Sequence, residues 1–433
     1  MPSPLDSGSP VTETSWRYAG WPVAVAAMIA LMFGPSTVAV LSLGIFIRPL
    51  EADFGWSRTQ IALASSIVAY TVMLISPLQG YLVDRFGARR VMLPCLPLFA
   101  TAVGLMYFLP PVPWVYYAAW IAIPALGIGL FPLSYLRVVS TWFERRLGLA
   151  VGIANAGIGL GGAVLPLLLS AVIATQGWRT GFLCMALLVM LVSFPAVLLF
   201  VREKPATGPT RAASATLSGL DFRSATRSRP FALLAGIFVL LGLINTALFV
   251  HQIPLLIDAG LTPQRAALVQ STFGLFVILG RLLTGLVIDF VAPPLVMMVL
   301  VLGASAACLI YATGPVGDIV FVCAALLGMV LGAEFDVLSV LLKRYFGMRS
   351  FGKLYGLVFA VFQLGAGAGA AMLPLLRQAT GRYREGLLVF ALATLLCAVL
   401  LAVLHRMTRR MASREARIEA HAAHATPTPL EST

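Results

Sequence analysis

The stretch Gly80-Tyr81-Leu82-Val83-Asp84-Arg85-Phe86-Gly87-Ala88-Arg89-Arg90 decides how the rest of the chain is read. It sets one carboxylate, three arginines and two glycines between two long apolar runs. A charged side chain at the centre of a membrane helix costs about 2.5–3.5 kcal/mol on insertion scales, so such a cluster belongs at a water-facing turn. Gly80 and Gly87 allow close helix approach and a tight turn. Asp84 can accept from helix N-terminal amides or from an arginine. The plainer alternative is a basic turn that only anchors topology.

The flanks support a membrane setting. The chain has 433 residues, of which 60% are hydrophobic and 11% charged, with mean hydropathy +0.94. A soluble domain carries roughly 25% charged residues, so this composition belongs to a polytopic membrane protein. The net charge of +13 would point to nucleic acid in a soluble protein. Here no basic patch with stacked aromatics and no binding motif accompanies it, so nucleic acid is not an expected partner. Cys95, Cys184, Cys308, Cys323 and Cys397 are scattered through apolar runs without metal spacing. They read as small core hydrophobes, and no metal or cofactor is expected. The first apolar run is long enough to span and lacks a small-residue cleavage site, so it reads as a first helix and not a removed signal.

A spanning helix needs roughly 20 apolar residues. Charged and Pro/Gly breaks leave twelve candidates, near 20–47, 58–82, 90–110, 114–137, 147–172, 179–201, 229–256, 265–288, 294–313, 318–342, 352–376 and 384–405. The expected fold is therefore all-α, with twelve transmembrane helices in two pseudo-symmetric six-helix bundles. Residues 1–18 form a polar leader expected to be disordered, 19–201 the first bundle, 202–228 a linker loop, 229–405 the second bundle and 406–433 a basic tail expected to be disordered. Lysines and arginines favour the side of the termini by about three to one, which puts both ends in the cytoplasm. Much of the net positive charge then reflects topology and contact with anionic membrane lipid.

The halves repeat. Gly80-x-x-x-Asp84 recurs as Gly285-x-x-x-Asp289, Gly161 matches Gly365, and Leu165-Pro166-Leu167-Leu168 matches Leu373-Pro374-Leu375-Leu376, all at a nearly constant offset. Two similar six-helix halves suit alternating access, in which one half rocks against the other around a central site.

Gly80, Asp84, Arg85, Gly87, Arg89 and Arg90 together resemble the loop joining helices 2 and 3 of the major facilitator superfamily of transporters. The resemblance covers about residues 20–405. Three further stretches look like the monocarboxylate and oxalate/formate porter branch, in its bacterial form. They are Tyr135 through Gly152 with Asn155, Gly157, Gly159, Gly161 and Gly162; Phe54-Gly55-Trp56-Ser57-Arg58; and Glu334-Phe335-Asp336 followed by Arg344-Tyr345-Phe346-Gly347 and Phe351-Gly352-Lys353-Leu354-Tyr355-Gly356. The resemblance implies a secondary transporter of a small carboxylate, with Gly80, Asp84, Arg85, Gly87, Arg89, Arg90, Gly285 and Asp289 in the gating motif. It departs from the animal monocarboxylate porters at Val277, where they place an aspartate, and near Leu41, where they place a lysine. Proton–lactate symport of that particular kind is thereby put in doubt.

Arg281 is the sharpest candidate for substrate contact. It lies about 12 Å from the inner end of the eighth segment at 1.5 Å per residue, beyond easy snorkelling, so it should face protein or water. It resembles the helix-8 arginine with which monocarboxylate porters hold the carboxylate, and a guanidinium fork fits a carboxylate bidentately. The alternative is a structural pair with Asp289 or a helix end. Glu334 and Asp336 lie within the tenth segment and point about 200° apart, so both cannot face one cavity. One is expected to carry the proton and the other to hold a neighbouring helix; the alternative is a structural ion pair, with Arg137 as partner. Arg137, Tyr70, Asn245, Ser36 and Thr37 are further cavity candidates, and His251 a candidate proton relay. The glycines Gly157, Gly161, Gly365, Gly367 and Gly369 read as close-packing surfaces.

No hydrolase, zinc-protease or nucleotide-binding motif is present. The chain is therefore expected not to be an enzyme, and to draw on a gradient. Small molecules, a carboxylate first, with protons or a counter-anion, are its expected partners. An exporter of drug-like or cationic solutes is the alternative, with an acidic residue meeting the cation. A non-transporting membrane sensor on the same fold is a third reading.

Overall fold

In a computed structural model of the chain, residues 12–41, 43–204, 219–314 and 317–425 are described. The start of the leader, most of the expected linker (205–218) and the tail's end (426–433) lie outside them. The described chain is helical throughout; one isolated β-bridge joins Gly219 and Gly347.

The helices are α1 (Gly20–Met32), α2 (Arg58–Phe86), α3 (Ala88–Leu105), α4 in two pieces (Pro113–Leu126 and Pro132–Trp142), α5 (Leu147–Gln176) and α6 (Trp178–Phe200) in the first half. The second half holds α7 (Arg229–Asp258), α8 (Pro263–Val287), α9 (Pro293–Ala312), α10 (Ile319–Phe346), α11 (Phe351–Thr380) and α12 (Arg384–Ala425). Among the described residues, eleven helices are long and apolar enough to cross a membrane. The twelfth is α4, which is broken rather than absent. Pro132 has no amide hydrogen and disfavours helical backbone at Phe131. The chain passes from Gly127 through a 3₁₀ turn (Ile128–Leu130) before resuming at Pro132. The break turns Phe131, Pro132 and Leu133 towards the centre of the molecule.

The first segment is likewise interrupted. Beyond Met32 it passes Gly34-Pro35 and a π-helical turn (Ser36–Leu41), then continues as Leu43–Phe54. Thr37 is buried there and its hydroxyl donates to the Leu31 carbonyl at 3.1 Å, which satisfies an acceptor near the break.

Small residues bring the helices together at equivalent places in both halves. A Cβ on Gly157 or Gly161 of α5 would run into the Met28 and Met32 carbonyls of α1. A Cβ on Gly365 or Gly369 of α11 would do the same to Val239 and Leu243 of α7. Gly367 differs from expectation: nothing lies within 4 Å of its Cβ position, so it is not part of a packing surface. Four of the five cysteines are buried and Cys184 is half-buried, all as free thiols. Large apolar side chains such as Leu74, Leu167, Leu191 and Val299 stand outward, as a bilayer-facing surface requires.

The expectations of disorder differ from the structure over the described residues 12–18 and 406–425, while 1–11 and 426–433 lie outside them. Residues 12–19 form a strap whose Glu13 carboxylate accepts from the backbone amides of Glu144, Arg145 and Arg146 at 3.0, 2.8 and 3.0 Å. The Tyr18 hydroxyl donates to the Trp142 carbonyl, and Tyr18 and Trp21 lie against Phe143. At the other terminus α12 runs on to Ala425, because its alanines, arginines and glutamates are strong helix formers that need no apolar partner to continue a helix already nucleated.

Candidate functional site

The halves meet chiefly where α2 lies on α11 and α5 lies on α8. Both contacts depend on glycine. A Cβ on Gly80 would meet the Gly352 carbonyl, and one on Gly148 would meet the Gly285 carbonyl. At the end of the bundle that carries the termini, carboxylates lock these contacts. Asp84 accepts from the amides of Gly352 and Lys353 at 2.9 and 2.8 Å. Asp289 accepts from those of Gly148 and Leu149 at 2.7 and 3.2 Å. Each carboxylate thus caps the first turn of a helix in the opposite half, where unsatisfied donors and the positive dipole end favour an anion. Lys343 adds bonds from α10 to the carbonyls of Ser140 and Phe143, at 2.6 and 2.5 Å.

Arg137 belongs to this clamp. It is 4% exposed, 3.5 Å from both Asp84 and Glu203, and donates to the Val83 carbonyl. It does not line the cavity described next, and it is not the partner of Glu334 or Asp336. Arg89 donates to the carbonyls of Val201 and Leu198, Arg85 bonds Tyr81, and Arg90 is exposed.

Above the clamp lies a cavity of about 130 Å³. The first half contributes Ser36, Ser76, Gln79, the α4 break and, from α5, Asn155 and Ile158. The second half contributes Arg281, Phe335 of α10, and Tyr355, Gly356 and Phe359 of α11. Among the described residues, Arg281 is the only charged one in the lining. It is held in place because a second set of glycines seats α8 on α10: Gly280 against Met329, Gly328 against Phe273 and Gly332 against Val277.

Behind the wall, the two carboxylates take different partners. Asp336 is fully buried, 3.5 Å from the Arg281 guanidinium, and its Oδ1 accepts from Asn155 Nδ2 at 2.5 Å. Glu334 accepts from Asn245 Nδ2 at 2.6 Å, within the second half. The expectation that one of the pair faces the cavity is corrected. Phe335, between them, lines it, and the carboxylates flank Phe335 on either side. The proposed Arg281–Asp289 pair is also corrected, because Asp289 caps α5 while Asp336 balances Arg281.

Three polar atoms here have no hydrogen-bond partner in the protein: Arg281 Nε, Asn155 Oδ1 and Asp336 Oδ2. Buried polar atoms are nearly always bonded, so the three together make this an under-satisfied polar cluster.

Of the remaining candidates, Ser36 lines the cavity, while Thr37 is buried in α1's interruption. Tyr70 is 61% exposed and away from the cavity. His251 bonds the Ala370 carbonyl at 2.9 Å, tying α7 to α11. Gln79, Asn155, Phe335, Tyr355 and Phe359 line the cavity but were not among the cavity candidates drawn from the sequence. One signal was available for Asn155. Gly148, Gly152, Asn155 and Gly159 follow one helical face, so Asn155 is the lone polar side chain on the stripe that approaches α8.

A family model described as Major Facilitator Superfamily matches residues 23–262 and 252–431. Among curated relatives, monocarboxylate transporter 13 of Bos taurus is 30% identical over 384 residues, covering 86% of this chain and 85% of that protein. Monocarboxylate transporter 11 of Homo sapiens is 26% identical over 396 residues, covering 89% and 82%. Among solved structures, the E. coli fucose:proton symporter FucP superposes with a TM-score of 0.69 at 15% identity, over 90% of this chain and 99% of that one.

Proposed function

This chain belongs to the Major Facilitator Superfamily, and from that premise we propose that it moves a small organic anion, a monocarboxylate, with protons or in exchange for another anion. That it is a multi-pass membrane transporter and not an enzyme follows from the family. The choice of an anion rests on one observation: among the described residues, Arg281 is the only charged one lining the central cavity. A guanidinium fork bonds a carboxylate through two parallel N–H donors.

Size and sign both weigh against the exporter of drug-like cations. Sites for drug-sized ligands run to about 300–1,000 Å³, whereas this cavity is about 130 Å³. A cation would need an acidic wall, and both Glu334 and Asp336 stand behind it. Asp336 is the better proton carrier of the two. It shares Arg281 with the incoming carboxylate and keeps one oxygen unbonded, while Glu334 is held by Asn245. When substrate takes Arg281, Asp336 loses its counter-charge and binds a proton; when substrate leaves, the pair reforms and the proton is released.

The clamp and the repeated halves support alternating access, with the clamped end opening in the alternate state. The distribution of lysines and arginines supports a cytoplasmic clamped end and a plasma (inner) membrane location.

Reconstitution in liposomes tests this reading. Under an inward proton gradient, uptake of formate, acetate, propionate and lactate is measured for the wild type, Arg281→Ala and Arg281→Lys. The expected result is accumulation of at least one acid, lost in Arg281→Ala and reduced at least tenfold in Arg281→Lys. Unchanged uptake in both variants would overturn it.

A further inference from the structure

The carboxylate of Asp336 is held by two groups from opposite halves: the Asn155 amide of α5 and the Arg281 guanidinium of α8. Both of these groups also line the cavity, whereas Asp336 does not. Arg281 also retains an unused donor, Nε. We propose that Asn155 is the second ligand of the transported carboxylate, and that Asp336 is its internal substitute, holding Asn155 to Arg281 until substrate takes over both groups. The proposal rests on the reading that the cargo is a carboxylate.

The argument is one of matched chemistry. A substrate carboxylate in the cavity presents the same kind of oxygen that Asp336 Oδ1 presents to both groups from behind the wall. It meets the same pair of donors, one amide and one guanidinium, and hydrogen bonds to an ionised acceptor are about twice as strong as neutral ones. Asn155 is also placed to report the exchange. It is the one polar side chain on the α5 face whose other members, Gly148, Gly152 and Gly159, lie against Gly285, Arg281 and Ile278 of α8. The Asn155–Asp336 bond is therefore a polar tie across the interface between the halves, buried from solvent. When Asn155 turns to the substrate, that tie is released, and cavity occupancy is coupled to separation of the halves. A ligand shifts a conformational equilibrium only by its differential interaction with the two states, and this exchange of partners supplies such a difference.

The test uses the full-length protein in nanodiscs, with spin labels on Arg90→Cys and Arg349→Cys in a background lacking the native cysteines. Both positions are exposed and stand on opposite halves at the clamped end. Without substrate, Asn155→Ala is expected to raise the fraction open at that end about tenfold, the effect of losing one hydrogen bond to a charged group. In a double-mutant cycle with Asp336→Ala the two changes are expected to be non-additive, because they remove the same bond. Asn155→Ser, with a shorter donor, is expected to fall between wild type and Asn155→Ala. Binding of formate, acetate, propionate and lactate is measured on the same samples by calorimetry, and Asn155→Ala is expected to weaken the acid that binds wild type at least tenfold. Thermal unfolding of each variant identifies any that fails to fold, in which case Asn155→Ser carries the test. No shift in the open fraction, additive effects, or unchanged affinity in a folded variant would overturn the proposal while leaving the carboxylate reading intact. If no acid binds the wild type, the carboxylate reading itself fails, and this inference with it.

Discussion

The two capping carboxylates look alike, yet removing them should have different consequences. Asp84 and Asp289 each accept two backbone amides at the start of a helix in the opposite half. Loss of such a cap costs about 0.5–2 kcal/mol, and loss of the favourable dipole contact about 0.3–1 kcal/mol. Under the alternating access proposed above, these bonds exist only while the halves are clamped, so their loss acts on the equilibrium between clamped and open states. At about 1.4 kcal/mol per tenfold, either Asp84→Ala or Asp289→Ala should raise the open fraction roughly tenfold. Asp84 has a second task that Asp289 lacks. It lies 3.5 Å from Arg137, in its own half, with both side chains almost wholly buried. Under the same proposal that pair, lying within one half, persists as the halves rock. Breaking a buried pair by removing one partner costs about 3–5 kcal/mol; Glu203 and the Val83 carbonyl still hold Arg137 and soften this. Asp84→Ala should therefore lose about 2–3 kcal/mol of stability beyond Asp289→Ala, somewhat less than the full cost of breaking a buried pair. The assay has two channels: label distances between Arg90→Cys and Arg349→Cys for the open fraction, and thermal unfolding in detergent for stability. Equal open fractions with unequal melting temperatures is the expected result. Equal melting temperatures, or a shift in only one variant, would refute the separation of the two roles.

Three further outcomes follow from the same contacts. Gly80→Ala and Gly285→Ala place a methyl against backbone of the opposite half, and should abolish uptake and leave the clamped end open by label distance; Gly274→Ala, with nothing within 4 Å, should transport as wild type. Asn245→Ala leaves Glu334 buried without its bond, and should cost about 1–3 kcal/mol in denaturant or thermal unfolding; an unchanged melting temperature would show that Glu334 finds another partner. Glu13→Ala should free the amides of Glu144, Arg145 and Arg146 and raise their hydrogen exchange several-fold, while unchanged exchange would mean that the strap is not what protects them.

The helices were legible because each is a long apolar run closed by charge or glycine, and a bilayer leaves the backbone no other choice. What hid α4's interruption is that its residues remain apolar: Gly127 to Pro132 reads as hydrophobic to any window, and only Pro132 gives the local warning. The order of residues 12–18 and 406–425 was hidden for a related reason. Polar composition shows that a segment cannot build its own core, but Glu13 is ordered by amides over a hundred residues away, and α12 continues because it is already nucleated. Within the site, Arg281 could be singled out because a charge deep in an apolar run is costly wherever it points. Its partner could not, since sequence spacing along α8 suggests Asp289 and only the seating of α8 on α10 brings up Asp336.

The internal repeat carries a further lesson about how the site was made asymmetric. Ser76 stands four residues before Gly80, and Arg281 four residues before Gly285. Asn155 stands six residues before Gly161, and Phe359 six before Gly365. All four line the cavity. Equivalent positions in the two halves thus face the same space, as a pseudo-two-fold arrangement requires. The shared glycines fix where those positions lie, and the residues beside them differ. One half offers a hydroxyl and an amide, the other a guanidinium and an aromatic ring. A charge at both equivalent positions would set two guanidinium groups close together in a small, largely apolar space, where like charges repel strongly. Placing it in the second half alone leaves one cation for the one carboxylate proposed as cargo. The amide of Asn155 then supplies the first half's contact without a second charge to desolvate, and the repeat that makes the halves interchangeable in shape leaves them complementary in chemistry.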